Sequence, residues 1–261
     1  MYCKSGSDLC HREFLQADLV LYKTINMKTK VLLIIAIVAG VFAGCKKEKD
    51  SGTVNLNISY AVDGVPLNFD TMMYQNEAGN QFSVTRLEYY ISNITFHKND
   101  GSVFTTNLIQ YINARTASTN QFSFNDVPNG NYTKITFNIG IDSARNYTYG
   151  LPATTENNNM LWPEPMGGGY HFMKLEGYFA DNGSTPGFAT HIGTNSCLVS
   201  IDHPVNFSVD GNTYKMQLTM NINEWYKNPE IYDFNTDGGY SMGNMMAMMK
   251  IAGNGADVFN Q

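Results

Sequence analysis

The segment from Leu161 to Gly177, LWPEPMGGGYHFMKLEG, contains the residues best suited to chemistry. A tryptophan, Trp162, and three consecutive glycines precede His171, and a second histidine, His191, follows twenty residues later. Imidazole is a usual ligand of copper, and two imidazoles beside a polarizable aromatic ring suit copper better than a hard cation. A histidine next to methionine in an apolar strand is also typical of a packed core. The spacing alone leaves both interpretations open.

Three further side chains compete with this group. His97 lies at a predicted strand end, before the Asn99-Asp100-Gly101 turn, and is a third candidate metal ligand. His203 precedes Pro204 and is typical of a strand entry. Trp225, in NEWYKNPEIYDF, is the rival tryptophan, and its position before a proline favours a packing role.

The methionines near the C-terminus form a separate pattern. Met242, Met245, Met246 and Met249 recur at helical spacing in SMGNMMAMMKIA. Thioether sulfurs ligate Cu(I), so a copper site is one interpretation. The other, which we favour from sequence, is that the flexible methionines fill an irregular groove on the folded domain.

These residues must be positioned by strands. Val54, Leu56, Ile58 and Tyr60 alternate with polar residues, which predicts a half-buried strand. Further strands are predicted at 82–96, within 120–141, and at 170–179, 198–201, 205–209 and 214–222. The pattern indicates an all-β, antiparallel β-sandwich with one short C-terminal helix over 241–252, and a long loop over 143–165. Regular alternation after the glycines would place His171, Met173 and Leu175 on one face.

Composition narrows the function. Only 15% of residues are charged and the net charge is −6, which argues against a nucleic-acid partner. We find no nucleophile elbow, no HExxH motif and no convincing carboxylate pair, so we expect a protein that is not an enzyme. Cys197 is the one cysteine after residue 45, so we expect no disulfide within the exported domain.

The N-terminal region has the layout of a lipoprotein signal. From Met27 the sequence MKTKVLLIIAIVAGVFAGC gives a basic start, a short apolar run and small residues before Cys45. We therefore expect residues 1–26 to be an over-extended, non-native start, 27–44 a signal peptide, and 45–52 a tether lipidated at Cys45. The lipid anchor implies a membrane partner and a cell-envelope location, with the outer membrane favoured because the charged tether resembles that of Bacteroidetes surface lipoproteins.

The domain also resembles a known family. The blocks LEYYISNITF, DVPNGNYTKITFNIGID, MLWPEPMGGGYHFMKLEG, THIG and MGNMMAMMKIAGNGADVF are similar to the MbnP-like copper-binding proteins, in the branch found in Bacteroidetes lipoproteins. The resemblance runs over nearly the whole predicted domain of residues 53–261, from about Thr53 to Phe259. It implies a β-sandwich that holds copper in the periplasm or at the cell surface.

The resemblance further implies a partner and a modification. Characterised relatives work beside a dihaem cytochrome c peroxidase-like protein that oxidises a tryptophan to kynurenine, which forms a copper site with two histidines. Here Trp162 would be modified, and His171 and His191 would be the ligands. Other branches carry a four-cysteine pattern, from which this sequence departs. The alternative is a metal-free surface module that binds glycan or protein, with Tyr147 and Tyr149 of the long loop as contact residues.

Overall fold

A computed structural model describes residues 49–260, so Cys45 and the predicted signal segment lie outside the described residues. The described chain forms thirteen strands and two α-helices. The strands are β1 Ser51–Val62, β2 Val65–Pro66, β3 Tyr74–Gln75, β4 Gln81–Lys98, β5 Val103–Thr105, β6 Ile109–Asn113, β7 Gln121–Pro128, β8 Gly130–Ile139, β9 His171–Phe179, β10 Gly187–Gly193, β11 Val199–Val209, β12 Thr213–Asn221 and β13 Phe259–Asn260. The helices are α1 Thr155–Asn159 and α2 Met245–Asn254, and short 3-10 turns cover Ala117–Thr119, Glu164–Met166, Asn195–Cys197, Ile222–Tyr226 and Gly255–Asp257.

The strands build two sheets, which confirms the predicted all-β sandwich with a short C-terminal helix. The smaller sheet has the order β13-β12-β1, with β2 and β7 also paired to β1. The larger sheet has the order β10-β9-β4-β8-β11, and β3, β5 and β6 pair with the long strand β4. The pairings are antiparallel except that of β1 with β12, which is parallel.

The core lies between the sheets and follows the alternation seen in the sequence. Val54, Leu56 and Ile58 of β1 are buried, as their spacing predicts. Burial of such apolar side chains is worth about 1.5–3 kcal/mol each and is the main force that holds the sheets together. Cys197 is fully buried in this core, so its thiol is not placed to meet a metal from solvent.

Several local predictions need correction. The sequence pattern missed β5, β6 and β10, and it divided β11 into two strands at Pro204. A register shift between Pro204 and Phe207 lets one strand continue through the proline, so His203 lies inside β11 and not at a strand entry. Pro204 itself stays paired with Lys134, and β11 is the last strand in the order of the larger sheet, an edge position at which proline is tolerated.

The C-terminal helix also differs from its prediction. It begins at Met245 because the Asn244 side chain accepts a hydrogen bond from the Ala247 N–H and caps the first turn. Its buried face is formed by Ala247, Met248 and Ile251. The expectation that the four spaced methionines fill a groove is wrong, because all four are exposed: Met242, Met245, Met246 and Met249.

The part of the chain between residues 49 and 260 contains no helix that is long and apolar enough to cross a membrane.

Candidate metal centre

Three rings predicted to act together do meet at the edge of the larger sheet. The ring centroids of Trp162 and His171 are 4.7 Å apart, and those of His171 and His191 are 5.1 Å apart. The two imidazole planes are nearly perpendicular, at 89°. Trp162 and His171 are almost fully buried, at 1% and 5% exposed, and the His191 side chain is 14% exposed. The arrangement is an enclosed pair of imidazoles with an indole against one of them.

A β-bulge brings the two histidines onto one face of the sheet. On the β9–β10 pair, Ile192 lies opposite Met173, but the next residue, Gly193, lies opposite His171. Phe172 is the extra residue of the bulge. Gly193 is two residues after His191 and shares its face, so His171 opposite it points the same way. The expectation that His171 shares a face with Met173 is therefore wrong.

Glycine at position 193 makes room for the indole. A Cβ atom there would lie 2.5 Å from Cε3 of Trp162, closer than real contacts allow. The indole Nε1 donates a hydrogen bond to the Met166 carbonyl at 3.1 Å. The Trp162 backbone N–H donates to the carbonyl of Gly169 at 2.9 Å, across the glycine loop. The three loop glycines all have positive φ, a conformation that other residues rarely adopt: Gly167, Gly168 and Gly169.

The protonation of His171 follows from its surroundings. Its Nδ1 lies 3.2 Å from the carbonyl of Met160, and because a carbonyl can only accept, Nδ1 must carry the hydrogen. Burial, with smaller contributions from Lys174 and His191, lowers the pKa of His171 to about 3. The ring is therefore neutral, and its free lone pair is on Nε2.

His191 is held in the opposite tautomer. Its Nε2 lies 2.8 Å from Oε1 of Glu176. That hydrogen bond, with help from Arg86, lowers the pKa of Glu176 against the effect of burial, so the carboxylate accepts and Nε2 donates. In the neutral imidazole the lone pair is then on Nδ1. Nδ1 is buried and has no hydrogen-bond partner among the described residues.

This arrangement fits a soft or borderline metal ion. Metal-ligating histidines usually donate their other ring N–H to a carbonyl or carboxylate, as His171 does to Met160 and His191 does to Glu176. Imidazole ligands suit copper. Within residues 49–260, however, no group of three or more His, Cys, Asp or Glu side chains could hold a metal. The site therefore offers two imidazoles, and any further ligand must be of another kind.

Supporting contacts hold the site from outside. The Ser241 hydroxyl accepts a hydrogen bond from the His191 N–H at 2.8 Å and donates to the His191 carbonyl at 2.6 Å. Arg86 bridges two acids of the same face, at 2.9 Å from Glu88 and 3.3 Å from Glu176. These contacts tie the segment before α2 and the strand β4 to the position of the second histidine.

The structure does not bring the third predicted ligand to this site. His97 is near the far end of β4, where its Nε2 lies 2.9 Å from the Thr136 hydroxyl. Tyr89 is the β4 residue opposite Met173, and eight residues separate it from His97. At about 3.3 Å per residue that separation is roughly 25 Å along the strand. His97 therefore serves a structural hydrogen bond.

The rival tryptophan is a core residue. Trp225 is fully buried in the 3-10 turn after β12, and its ring packs where a Cβ on Gly255 would lie.

Glu176 is the site residue whose role was least visible in the sequence. Its hydrogen-bond partner, His191, lies on β10, a strand that the alternation of the sequence did not reveal. The contact between Glu176 and His191 is therefore visible only once β9 is paired with β10.

The fold and site together define an all-β sandwich with a buried tryptophan–histidine cluster. The family model of MbnP matches residues 51–246, and the chain belongs to the MbnP family. Among solved structures, MbnP from Methylosinus trichosporium aligns with 12% sequence identity and a TM-score of 0.47, covering 69% of this chain and 78% of that chain. No curated protein sequence matches the chain.

Proposed function

We propose that this protein binds copper through Nε2 of His171 and Nδ1 of His191. The observation that carries the proposal is the buried Nδ1 of His191, which has no partner among the described residues. A buried polar atom without a hydrogen bond costs about 1–3 kcal/mol unless something else satisfies it. A metal ion bound at this nitrogen would do so.

Amide variants that keep each histidine's hydrogen-bond donor but lack its ligand nitrogen test the proposed ligand atoms. His171→Asn keeps a donor toward the Met160 carbonyl but lacks Nε2, and His191→Gln keeps a donor toward Glu176 but lacks Nδ1. We expect the double variant to lose high-affinity copper binding in a competition titration. The matched control is His97→Gln, which should bind like wild type. Equal copper affinity for wild type and the double variant would refute the proposal.

The third ligand we propose is an oxidised Trp162. Two molecules of hydrogen peroxide would open the indole C2–C3 bond, releasing two waters, and hydrolysis would then remove the formyl carbon as formate to leave kynurenine. The proposed catalyst is a dihaem cytochrome c peroxidase-like partner. Because the indole is only 1% exposed, the oxidising equivalent must reach it through the protein or after the glycine loop opens. The new carbonyl and aniline groups would lie beside His171.

Mass spectrometry of protein from its native host tests the modification. We expect a gain of about 4 Da on the peptide that contains Trp162, from one added oxygen and one lost carbon. Trp162→Phe should abolish the gain and Trp225→Phe should not. An unmodified peptide in the presence of the partner enzyme would contradict this part of the proposal.

We further propose that the protein is not itself an enzyme and is a cell-envelope lipoprotein, anchored at Cys45 in the outer membrane. The support is the signal pattern that ends at Cys45. Cys45→Ser should release the protein into the soluble fraction of the producing cells. Retention of that variant in the membrane would contradict the anchor.

A second candidate function is glycan binding, and it rests on a part of the domain other than the histidine site. A groove of about 670 Å³ on the smaller sheet is lined by amide side chains beside an aromatic ring, among them Asn55, Asn57, Gln121, Phe122 and Gln217. Amides flanking a ring are suited to sugar hydroxyls and C–H faces. Glycan-array binding that survives chelation and the His171 and His191 variants, but is lost in Phe122→Ala, would favour this function.

A further inference from the structure

Four exposed methionines lie in and just before α2, with Met242 in the preceding turn and the other three on the helix. Met242, Met245, Met246 and Met249 are 36%, 45%, 84% and 55% exposed. Packing does not account for them, because Ala247, Met248 and Ile251 form the buried face of the helix. A surface helix normally carries charged or polar residues on its solvent face. Leaving these side chains in water gains nothing for folding.

The helical spacing places the sulfurs of three of them within reach of one ion, and Met242 lies in the turn just before the helix. At about 100° per residue, Met245, Met246 and Met249 fall within an arc of roughly 100°, and partners three or four residues apart have Cβ atoms about 5–6 Å from each other. Helical side chains lean toward the N-terminus, so Met249 leans over the other two. Methionine has three flexible side-chain torsions and can adapt to a shared ligand.

The cluster lies close to the histidine site. Ser241, one residue before Met242, holds the backbone of His191 through two hydrogen bonds. The Ser196 hydroxyl donates to Sδ of Met245 at 3.9 Å, which holds that side chain against the 3-10 turn Asn195–Cys197 that follows β10. The terminal methyl of Met166, whose carbonyl holds the Trp162 indole, lies 4.0 Å from where a Cβ on Gly243 would be.

We propose that Met242, Met245, Met246 and Met249 form a second, solvent-facing metal site that takes Cu(I). Thioether sulfur is a soft ligand that selects Cu(I) over hard cations. The helix N-terminus opposes a cation by about 0.3–1 kcal/mol, a modest cost. Because the four side chains face solvent, the site is placed where copper would first meet the protein. It does not depend on the histidines binding metal.

The test separates the two sites. Protein carrying His171→Asn and His191→Gln, with its methionine methyl groups labelled with carbon-13, is titrated anaerobically with Cu(I) and followed by NMR. We expect the methyl signals of the four cluster methionines to shift together. The signals of Met72 and Met73, which are exposed elsewhere at 39% and 50%, should stay unchanged.

Stoichiometry supplies the second readout, measured against a chromophoric Cu(I) chelator. Replacing the four cluster methionines with leucine should remove one equivalent of bound Cu(I), whereas Met72→Leu with Met73→Leu should remove none. Unchanged stoichiometry in the four-leucine variant would overturn the proposal. The proposal would also be overturned if the methyl signals shifted with anionic lipid vesicles but not with Cu(I). In that case the four methionines would be a membrane contact. Failure of the histidine site alone would instead appear as equal Cu(I) affinity with and without the histidine variants.

Discussion

Replacing Glu176 with glutamine tests whether the carboxylate selects the ligand atom of His191. The carboxylate accepts from Nε2 at 2.8 Å and so leaves the lone pair on Nδ1. A neutral amide forms a weaker bond, because charge-assisted hydrogen bonds are about twice as strong. The amide can also turn its NH₂ toward Nε2, which would move the hydrogen to Nδ1 and remove the ligand lone pair. Loss of such supporting contacts typically weakens metal binding about 10–100-fold.

The expected change corresponds to roughly 1.4–2.7 kcal/mol of binding free energy. Copper affinity is measured by competition titration, with urea unfolding to confirm that the variant folds. Glu88→Gln is the matched control, because Glu88 contacts the same Arg86 at 2.9 Å but is not bonded to either histidine. It should change affinity by no more than about threefold. Wild-type affinity in Glu176→Gln, or an equal loss in Glu88→Gln, would refute the tautomer argument.

Two further predictions concern stability. Gly193→Ala should lower the free energy of unfolding, measured by urea denaturation, by about 1–3 kcal/mol, because its Cβ would meet the Trp162 ring at 2.5 Å. The control is Gly253→Ala in α2, which has open space around it and should leave the free energy of unfolding unchanged or raise it. The pKa of His171 is lowered to about 3, so below pH 6.5 the unfolded chain binds a proton that the folded chain does not, and stability falls by at most about 1.4 kcal/mol per pH unit. His171→Asn should therefore lose less stability than wild type between pH 6.5 and 5. Burial also lowers the pKa of His203, but both proteins contain His203, so its contribution cancels in the comparison. Identical losses in the two proteins would contradict this assignment.

Local patterns in the sequence predicted the strands whose alternation is regular. Val54, Leu56 and Ile58 are buried as expected because one face of β1 meets the core. The parallel pairing of β1 with β12 could not be predicted, because it joins segments about 160 residues apart and leaves no local mark. The short strand β10 was missed because its glycines and small residues interrupt alternation.

The site was predictable as a set of residues but not as a geometry. Trp162, His171 and His191 stood out by type and spacing, yet regular alternation placed His171 on the wrong face. One extra residue, Phe172, reverses the alternation at the start of β9. A single-residue bulge is decided by the register of the partner strand, so the sequence of β9 alone contains no sign of it.

The methionines show why burial cannot be inferred from residue type alone. Their helical spacing predicted a helix in this segment, although α2 begins later than expected, at Met245. The same spacing fits either face of a helix. Met248, which lies between the spaced positions, is the methionine that enters the core. The remaining four face solvent beside a site that has only two imidazole ligands among the described residues. In the functions proposed above, an oxidised Trp162 supplies the third ligand beside the two histidines, and the four methionines form a separate site that faces solvent.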